Sequence, residues 1–274
     1  MEKLGICLFL FRDLQRASNI LNSLQKSLTD GSETVHVYID YYDEYTSMLL
    51  YDLAARYNFV ENIVVRKNRF GLKLQVISAM RDMASREYAF TLFLEDDLEL
   101  NSSALPWLRK AVISGRDEII CLYSEFNTRN NKRLPRFSSW GYTLSNSVIS
   151  QFIDYIDLER PRILYHKLWT VGFDTLTMLR ADRLGIINSW AIHFLCFQLL
   201  IRKKSLHPPS SLTVYRGLDG SGEHTNSTYS WVNNGREIKG EIPNKIDENL
   251  FIDIRLFIVM NLHSIRRNIY GIFR

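Results

Sequence analysis

Short apolar runs alternate with amphipathic stretches along the first third of the chain, and this alternation restricts the fold more than any other feature. The apolar runs cover residues 4–11, 35–40, 62–67 and 88–95. The helical patterns between them lie near residues 13–28, 45–57 and 71–86. A strand followed by a helix and another strand favours parallel pairing, because the helix carries the chain back across the sheet. We therefore predict an α/β fold with a mostly parallel sheet flanked by helices.

Three adjacent acids, Glu95, Asp96 and Asp97, follow the fourth apolar run. Ligands of parallel sheets bind beyond the carboxyl ends of the strands, where these acids would meet the polar residues that end the other strands. Neighbouring carboxylates repel one another, and a divalent cation, which prefers oxygen ligands, would relieve that repulsion. The alternative is that the acids complement the dipole of a helix that begins near Ser102.

The composition excludes several classes of protein. A chain of 274 residues with 46% hydrophobic residues can bury a large core. Its formal net charge of +4 is too small to indicate nucleic-acid binding. The sequence MEKLGICLFLFRD lacks a signal-peptide cleavage site, and no segment reaches the roughly 20 apolar residues of a membrane span. We therefore predict a cytoplasmic protein, either soluble or peripheral on the inner face of the cell membrane.

The acidic segment FLEDDLEL resembles the metal-binding Asp-x-Asp motif of GT-A glycosyltransferases, in the Glu-Asp-Asp form of the N-acetylglucosaminyltransferase I type and related bacterial sugar transferases. Further segments are similar in the same order: FLFRDLQRASNIL, YIDYYDE, SSWGYTLSNSVI, VGFDTL and GLDGSGEHT. The resemblance extends over roughly residues 4–230 and implies a GT-A, Rossmann-like fold. The chain departs from the family in its C-terminal extension and in the single aspartate of GFDT.

The resemblance implies transfer of a sugar from a nucleotide-diphosphate donor, such as a UDP-sugar, to an acceptor hydroxyl with the help of Mn²⁺ or Mg²⁺. Asp97 would be the metal ligand, and Asp40 would read the base of the donor. The other implied contacts to nucleotide, phosphates or donor sugar are Arg12, Lys73, Glu95 and Asp96. A lysine in FGLKLQV is also typical of a solvated helix surface, so that reading of Lys73 remains open.

The second half of the chain supplies the candidates for the acceptor side. Asp174 lies in the apolar segment TVGFDTLTML and is either a helix cap or the base of an inverting transfer. Trp140 and Tyr142 could stack on an acceptor sugar or anchor the core. His224, in a glycine-rich loop, is either a solvated residue or a contact to metal or diphosphate.

Residues 241–274 form a predicted helical extension beyond a catalytic domain of residues 1–240. Apolar residues in NLFIDIRLFIVMNLHSIRRNIYGIFR alternate with basic residues at helical spacing. Such a helix could lie on an anionic membrane, which would suit a glycan or lipid-linked glycan acceptor. It could equally pack on the catalytic domain or at a homodimer interface.

Two other functions share these features. A non-catalytic nucleotide-sugar-binding or scaffold protein could keep the fold and lose the base. A nucleotidyltransferase also uses carboxylate-bound metal, but it typically has a glycine-rich loop after the first strand, and FRDLQRAS contains no glycine. We therefore predict a glycosyltransferase, with the binding protein as the alternative.

Overall fold

The computed structural model describes residues 3–28, 33–125, 127–159 and 161–216, together with the backbone of residues 246–247. The strands are β1 (Leu4–Leu10), β2 (Thr34–Ile39), β3 (Val60–Val65), β4 (Phe90–Glu95), β5 (Leu98–Leu100), β6 (Ile119–Cys121), β7 (Asn131–Leu134), β8 (Tyr142–Ser145), β9 (Ser205–His207), β10 (Thr213–Tyr215) and β11 (Ile246–Asp247). The helices are α1 (Leu14–Ser27), α2 (Glu44–Ala54), α3 (Gly71–Ala84), α4 (Ala104–Ile113), α5 (Asn146–Ile156), α6 (Tyr165–Leu168), α7 (Phe173–Arg183) and α8 (Trp190–Ile201).

The first four strands form the parallel half of the sheet, in the spatial order β3-β2-β1-β4. After β3 the chain crosses back to the other side of β1, so the strand order reverses between β1 and β4. Beyond the carboxyl ends of two such strands a crevice opens, because the connecting segments leave in opposite directions. The predicted alternation of strands and helices is confirmed for this half.

Aspartates begin the first two helices. The Asp13 carboxylate accepts a hydrogen bond of 3.0 Å from the backbone N–H of Arg16, and Asp43 accepts one of 2.7 Å from Thr46. Each bond satisfies a backbone donor that the first helical turn leaves without an acceptor. The buried side of α1, which includes Ile20, covers the sheet beside the β1 carboxyl end.

The second half of the sheet is mixed. β8 pairs antiparallel with both β4 and β6, β9 runs parallel to β6, and β7 runs antiparallel to β9. In residues 136–156, β8 lies between an aromatic segment and α5. α8, Trp190–Ile201, is largely buried and precedes β9. A separate two-stranded ribbon pairs β5 with β10.

Two apolar clusters pack against opposite faces of the sheet. None of the helices in the described part of the chain is both long and apolar enough to span a membrane. Within the predicted extension the described backbone contains β11, a short strand that pairs parallel with β7. The rest of residues 241–274 lies outside the described residues, and the proposed domain boundary stays a prediction.

Candidate functional site

A cavity of about 740 Å³ lies at the reversal of strand order between β1 and β4. Its walls come from the segment after β1, from Asp40 after β2, from the start of α3, and from the acidic residues after β4. These are the strand ends that sequence analysis predicts to converge. Arg12, Asp40, Glu95, Asp96 and Asp97 all line this cavity, which we call the switch-point cavity.

The three acids occupy a tight turn between β4 and β5. Asp96 accepts a hydrogen bond of 3.1 Å from the backbone N–H of Phe11, which ties the turn to the loop after β1. Asp97 accepts a hydrogen bond from the hydroxyl of Tyr215 on β10. The alternative that the acids complement a helix dipole is wrong, because β5 separates them from α4 and the first turn of α4 contains no acid.

Burial and neighbouring negative charge raise the pKa of two of these acids. Burial and the nearby Asp97 charge raise the pKa of Asp96 to about 7, although the bond from Phe11 opposes the shift. Burial, Asp97 and Asp96 raise the pKa of Glu95 well above its ordinary value. A bound cation would reverse this effect, since it stabilises the ionised forms.

The carboxylates fit a cation whose coordination is completed by a bound ligand rather than by the protein alone. Among the described residues, no group of three or more histidine, cysteine or acidic side chains is arranged to enclose a metal ion. Mg²⁺ and similar hard cations are commonly held by one or two carboxylates together with substrate phosphates. Asp97 with its neighbour Asp96 provides such a partial site at the cavity wall.

Three arginines, Arg12, Arg16 and Arg69, line the same cavity. Arg12 and Arg69 lie over the ring of Phe11, at 5.7 and 5.2 Å from its centroid, while Arg16 pairs with Asp13 at 3.5 Å. They bring positive charge into the same cavity as the acids, and the charge of Arg16 opposes the rise in the pKa of Asp96. Arg16 and Arg69 were not predicted from the sequence, although Arg16 lies one helical turn after the Asp13 cap and therefore faces the same end of the sheet.

Asp40 is held at the cavity wall by backbone donors. One carboxylate oxygen accepts from the N–H of Tyr41 at 3.0 Å and of Phe70 at 2.8 Å, and the other accepts from Gly71 at 2.8 Å. The side chain thus joins the end of β2 to the start of α3. It is fixed in place before any ligand arrives.

Lys73 does not line the switch-point cavity in the described structure. Its ammonium group lies 3.0 Å from Nε2 of His193 and 3.5 Å from a carboxylate oxygen of Asp182, on the side of α3 that packs against α8. The predicted contact with the nucleotide is therefore wrong in this arrangement. Lys73 is not on a solvated helix surface either, because it is paired with residues of neighbouring helices.

A second cavity, of about 260 Å³, adjoins the first through a pair of aromatic rings. Trp140, from the wall of the second cavity, stacks on Tyr215, from the wall of the first, with ring centroids 4.5 Å apart. Tyr142 is a core residue with 1% of its surface exposed, stacked on Phe93. The expectation that Tyr142 contacts a sugar is therefore wrong, whereas the one for Trp140 stays a prediction.

Asp174 lies in the first turn of α7 and is 5% exposed. Both of its carboxylate oxygens accept from the guanidinium of Arg136, at 2.9 and 2.8 Å. Arg136 lines the second cavity, together with Glu125, which is the one carboxylate among the described lining residues. Asp174 stays the predicted base, but it reaches a substrate hydroxyl only if Arg136 moves. His224 lies outside the described residues.

The raised pKa of Asp96 predicts a pH-dependent stability. Its folded pKa of about 7 exceeds the ordinary 3.8, so the folded state binds this proton more tightly and loses stability as pH rises from about 4 to about 7. We expect Asp96→Asn to raise the free energy of unfolding at pH 8, by at most about 4 kcal/mol, and to have little effect at pH 4. Urea unfolding of both proteins at the two pH values measures the difference. An equal effect at both would contradict the assignment.

Neither a protein-family model nor a curated protein sequence matches this chain. Among solved structures, the mannosyltransferase PcManGT from Pyrobaculum calidifontis, in complex with GDP-Man and Mn²⁺, has a TM-score of 0.55 and 10% identity, over 81% of this chain and 59% of that one. TarS 1-349 from S. aureus, in complex with UDP-GlcNAc, has a TM-score of 0.49 and 12% identity, over 83% of this chain and 61% of that one. The chain thus spans about three fifths of the length of either protein. The likeness to PcManGT confirms the predicted architecture, and the chain has the GT-A fold.

Proposed function

We propose that this protein is a metal-dependent glycosyltransferase that moves a sugar from a nucleotide-diphosphate donor, by preference a UDP-sugar, to an acceptor hydroxyl. The observation that carries the proposal is the meeting of the three adjacent acids after β4 with three arginines in one cavity of a GT-A fold. A diphosphate bridged to the acids by a cation would pair both sets of charge. PcManGT was solved with a nucleotide sugar and Mn²⁺, which supports the same ligand class here.

The donor would be held by residues of the switch-point cavity. Asp97 would bind Mn²⁺ or Mg²⁺, and the cation would neutralise the diphosphate as it leaves. Asp96 would orient the ribose or the donor sugar from its fixed position beside Phe11, with Glu95 behind it. The three arginines would contact the phosphates, where guanidinium groups form charge-assisted hydrogen bonds with anionic oxygens.

The acceptor would enter from the second cavity. An inverting transfer needs a base on the face of the sugar opposite the diphosphate, and the second cavity lies across the Trp140 and Tyr215 pair from the acids. Asp174 would serve as that base after release from Arg136, with Trp140 beside the acceptor. A single displacement of this kind gives a product anomer opposite to that of the donor.

We further propose that the acceptor is a glycan or a lipid-linked glycan and that the protein works in the cytoplasm at an anionic membrane surface. This rests on the basic amphipathic sequence of residues 248–274, which lie outside the described residues.

The proposed activity is tested by incubating the purified protein with Mn²⁺ and a panel of nucleotide sugars. We expect release of free nucleoside diphosphate from at least one UDP-sugar, and loss of that release when a chelator removes the metal. The matched control is Asp157→Asn, because Asp157 forms an exposed ion pair with Arg81, far along the chain from the cavity residues. No release from any donor, with or without added glycan acceptors, would contradict the proposal.

A non-catalytic nucleotide-sugar-binding protein is the second candidate. Asp174 favours it, because this residue is only 5% exposed and lies outside the described walls of both cavities, whereas a base must reach the acceptor hydroxyl. This candidate predicts metal-dependent binding of a nucleotide sugar without release of the diphosphate.

A further inference from the structure

Four large apolar side chains are exposed where α6 and α7 pack against each other. Tyr165 belongs to α6, Trp169 begins the 3₁₀ turn that follows it, and Leu184 and Ile186 come directly after α7. Between 46% and 71% of the surface of each of these residues is exposed. Single exposed apolar residues are common on any protein surface, whereas a group of them marks an interaction site.

The turn after α7 leaves two of these side chains uncovered. Gly185 has a φ of 70°, its N–H donates to the carbonyl oxygen of Asp182, and the N–H of Ile186 donates to that of Ala181. In this Schellman pattern the apolar residue after the glycine commonly packs back on the last turn of the helix. Ile186 is nevertheless 71% exposed, and Leu184 is 64% exposed. The fold therefore forms the turn without burying its apolar residues.

A cation–π contact joins α6 to the end of α7. The guanidinium of Arg183 lies over the ring of Tyr165, 5.5 Å from its centroid. Tyr165 and Trp169 are four residues apart in consecutive helical turns, and Arg180 and Leu184 are four residues apart at the end of α7, so each pair faces a similar direction. These four residues, together with Arg183 and Ile186, are called the α6–α7 surface.

The α6–α7 surface is positively charged. Residues 161–189 contain two acids, and both are engaged elsewhere, Asp174 by Arg136 and Asp182 by His193. Neither acid is exposed, whereas three arginines of the same range are: Arg162, Arg180 and Arg183. Tryptophan and tyrosine are favoured at the level of lipid headgroups, and arginines are attracted to anionic ones. A second copy related by a two-fold axis would instead bring like charges together.

The helix α7 places this surface next to the second cavity. Thr175 and Met178 on α7 line that cavity. Arg180 comes two positions after Met178, so it is turned about 200° from it around the helix axis and lies on the other side of α7. One helix therefore separates the second cavity from the α6–α7 surface.

We infer that the α6–α7 surface docks on a lipid bilayer that carries anionic headgroups. The apolar side chains enter the headgroup region, and the arginines pair with lipid phosphates. The role of this docking rests on the proposed function, because it holds the second cavity one helix away from a membrane-held acceptor. The binding itself requires neither donor nor metal.

Co-sedimentation of the full chain with lipid vesicles tests the inference in the absence of nucleotide. We expect binding to vesicles made of equal parts phosphatidylcholine and phosphatidylglycerol, and binding at least about tenfold weaker to phosphatidylcholine alone. The triple variant Trp169→Ser, Leu184→Ser, Ile186→Ser should weaken binding to the anionic vesicles by about tenfold or more, because it removes apolar side chains and keeps every charge.

A charge variant covers the case that the triple variant does not fold. Arg180→Glu should weaken binding to the anionic vesicles by about tenfold and make the remaining binding less sensitive to salt. The matched control is Tyr45→Ser, Met48→Ser, Tyr51→Ser, which removes three exposed apolar side chains from α2 and should leave vesicle binding unchanged.

Trp169 also reports where the membrane lies. Spin-labelled lipids quench the fluorescence of a tryptophan that reaches the headgroup region, so they should quench the unchanged protein. Trp169→Phe keeps an aromatic ring in place and should bind vesicles with most of that quenching lost. Quenching that is the same in Trp169→Phe would place another part of the chain at the membrane and overturn the inference.

The other outcomes are equally decisive. A full chain that does not bind anionic vesicles, or binding that is unchanged in both the triple variant and Arg180→Glu, would overturn the inference. A homodimer that the triple variant converts to a monomer, without vesicle binding, would assign the surface to a second copy instead. If vesicles bind as expected and no donor releases nucleotide, the proposed function is wrong, and the α6–α7 surface still binds membranes.

Discussion

Asp97→Asn is expected to weaken the binding of UDP with Mn²⁺ by about a hundredfold or more. The neutral amide is a poor ligand for a hard cation, and the cation is what links the acids to the diphosphate. The fold should remain intact, because the amide oxygen of the asparagine can still accept from the Tyr215 hydroxyl, and one of three mutually repelling charges is gone. Calorimetric titration of UDP with Mn²⁺ and with chelator measures the effect.

The comparison with chelator is the informative part of that experiment. In the unchanged protein, chelator should reduce affinity by about as much as the substitution does, and the two effects should not add, because both remove the same link. Asp157→Asn should behave as the unchanged protein. Metal-dependent binding that persists in Asp97→Asn would remove Asp97 as the ligand and leave Asp96 as the next candidate.

Asp174→Asn is expected to destabilise the protein by about 3 kcal/mol whatever its role in catalysis. The substitution leaves the guanidinium of Arg136 without its carboxylate partner, and breaking one half of a largely buried ion pair is costly. Chemical denaturation measures the loss. A change below about 0.5 kcal/mol would show that the pair contributes little to stability.

The effect of Asp174→Asn on turnover distinguishes a catalytic base from a structural residue. As the base, Asp174→Asn should lower kcat by about a hundredfold or more and remove the acidic limb of the kcat against pH profile. As a structural residue, it should change stability and leave that limb in place, which would move the search for the base to Glu125 in the second cavity. Proton NMR couplings of the product report the anomer and hence whether the transfer inverts.

The donor side of the candidate site was predictable because it depends on local pattern. Short apolar runs and the helical patterns between them indicate β1 to β4. Parallel strands have their carboxyl ends at one edge, so Asp40 and the acids were expected to meet. Helix geometry could also have placed Lys73 correctly. Gly71 and Gln75 face the cavity, and a residue two positions after Gly71 is turned about 200° away from it.

The rest depends on pairings between distant parts of the chain. Tyr215 reaches Asp97 because β10 pairs with β5, and no local pattern specifies that partner. Arg136 and Asp174 are 38 residues apart, so the sequence shows an aspartate in an apolar segment but not the guanidinium that compensates it. Tyr142 was ambiguous for another reason, since β8 has only four residues, and the aromatic segment that leads into it has the composition of a sugar-binding loop as well as of a core strand.

All residues that line the switch-point cavity except Tyr215 lie between Phe9 and Asp97. One contiguous third of the sequence therefore supplies nearly all residues of the proposed nucleotide site, and later residues line the second cavity. Substitutions in the later part can accumulate with little effect on that site, because effects at separated sites combine almost independently. During evolution, this arrangement allows the residues of the proposed acceptor site to change while the proposed donor site stays the same.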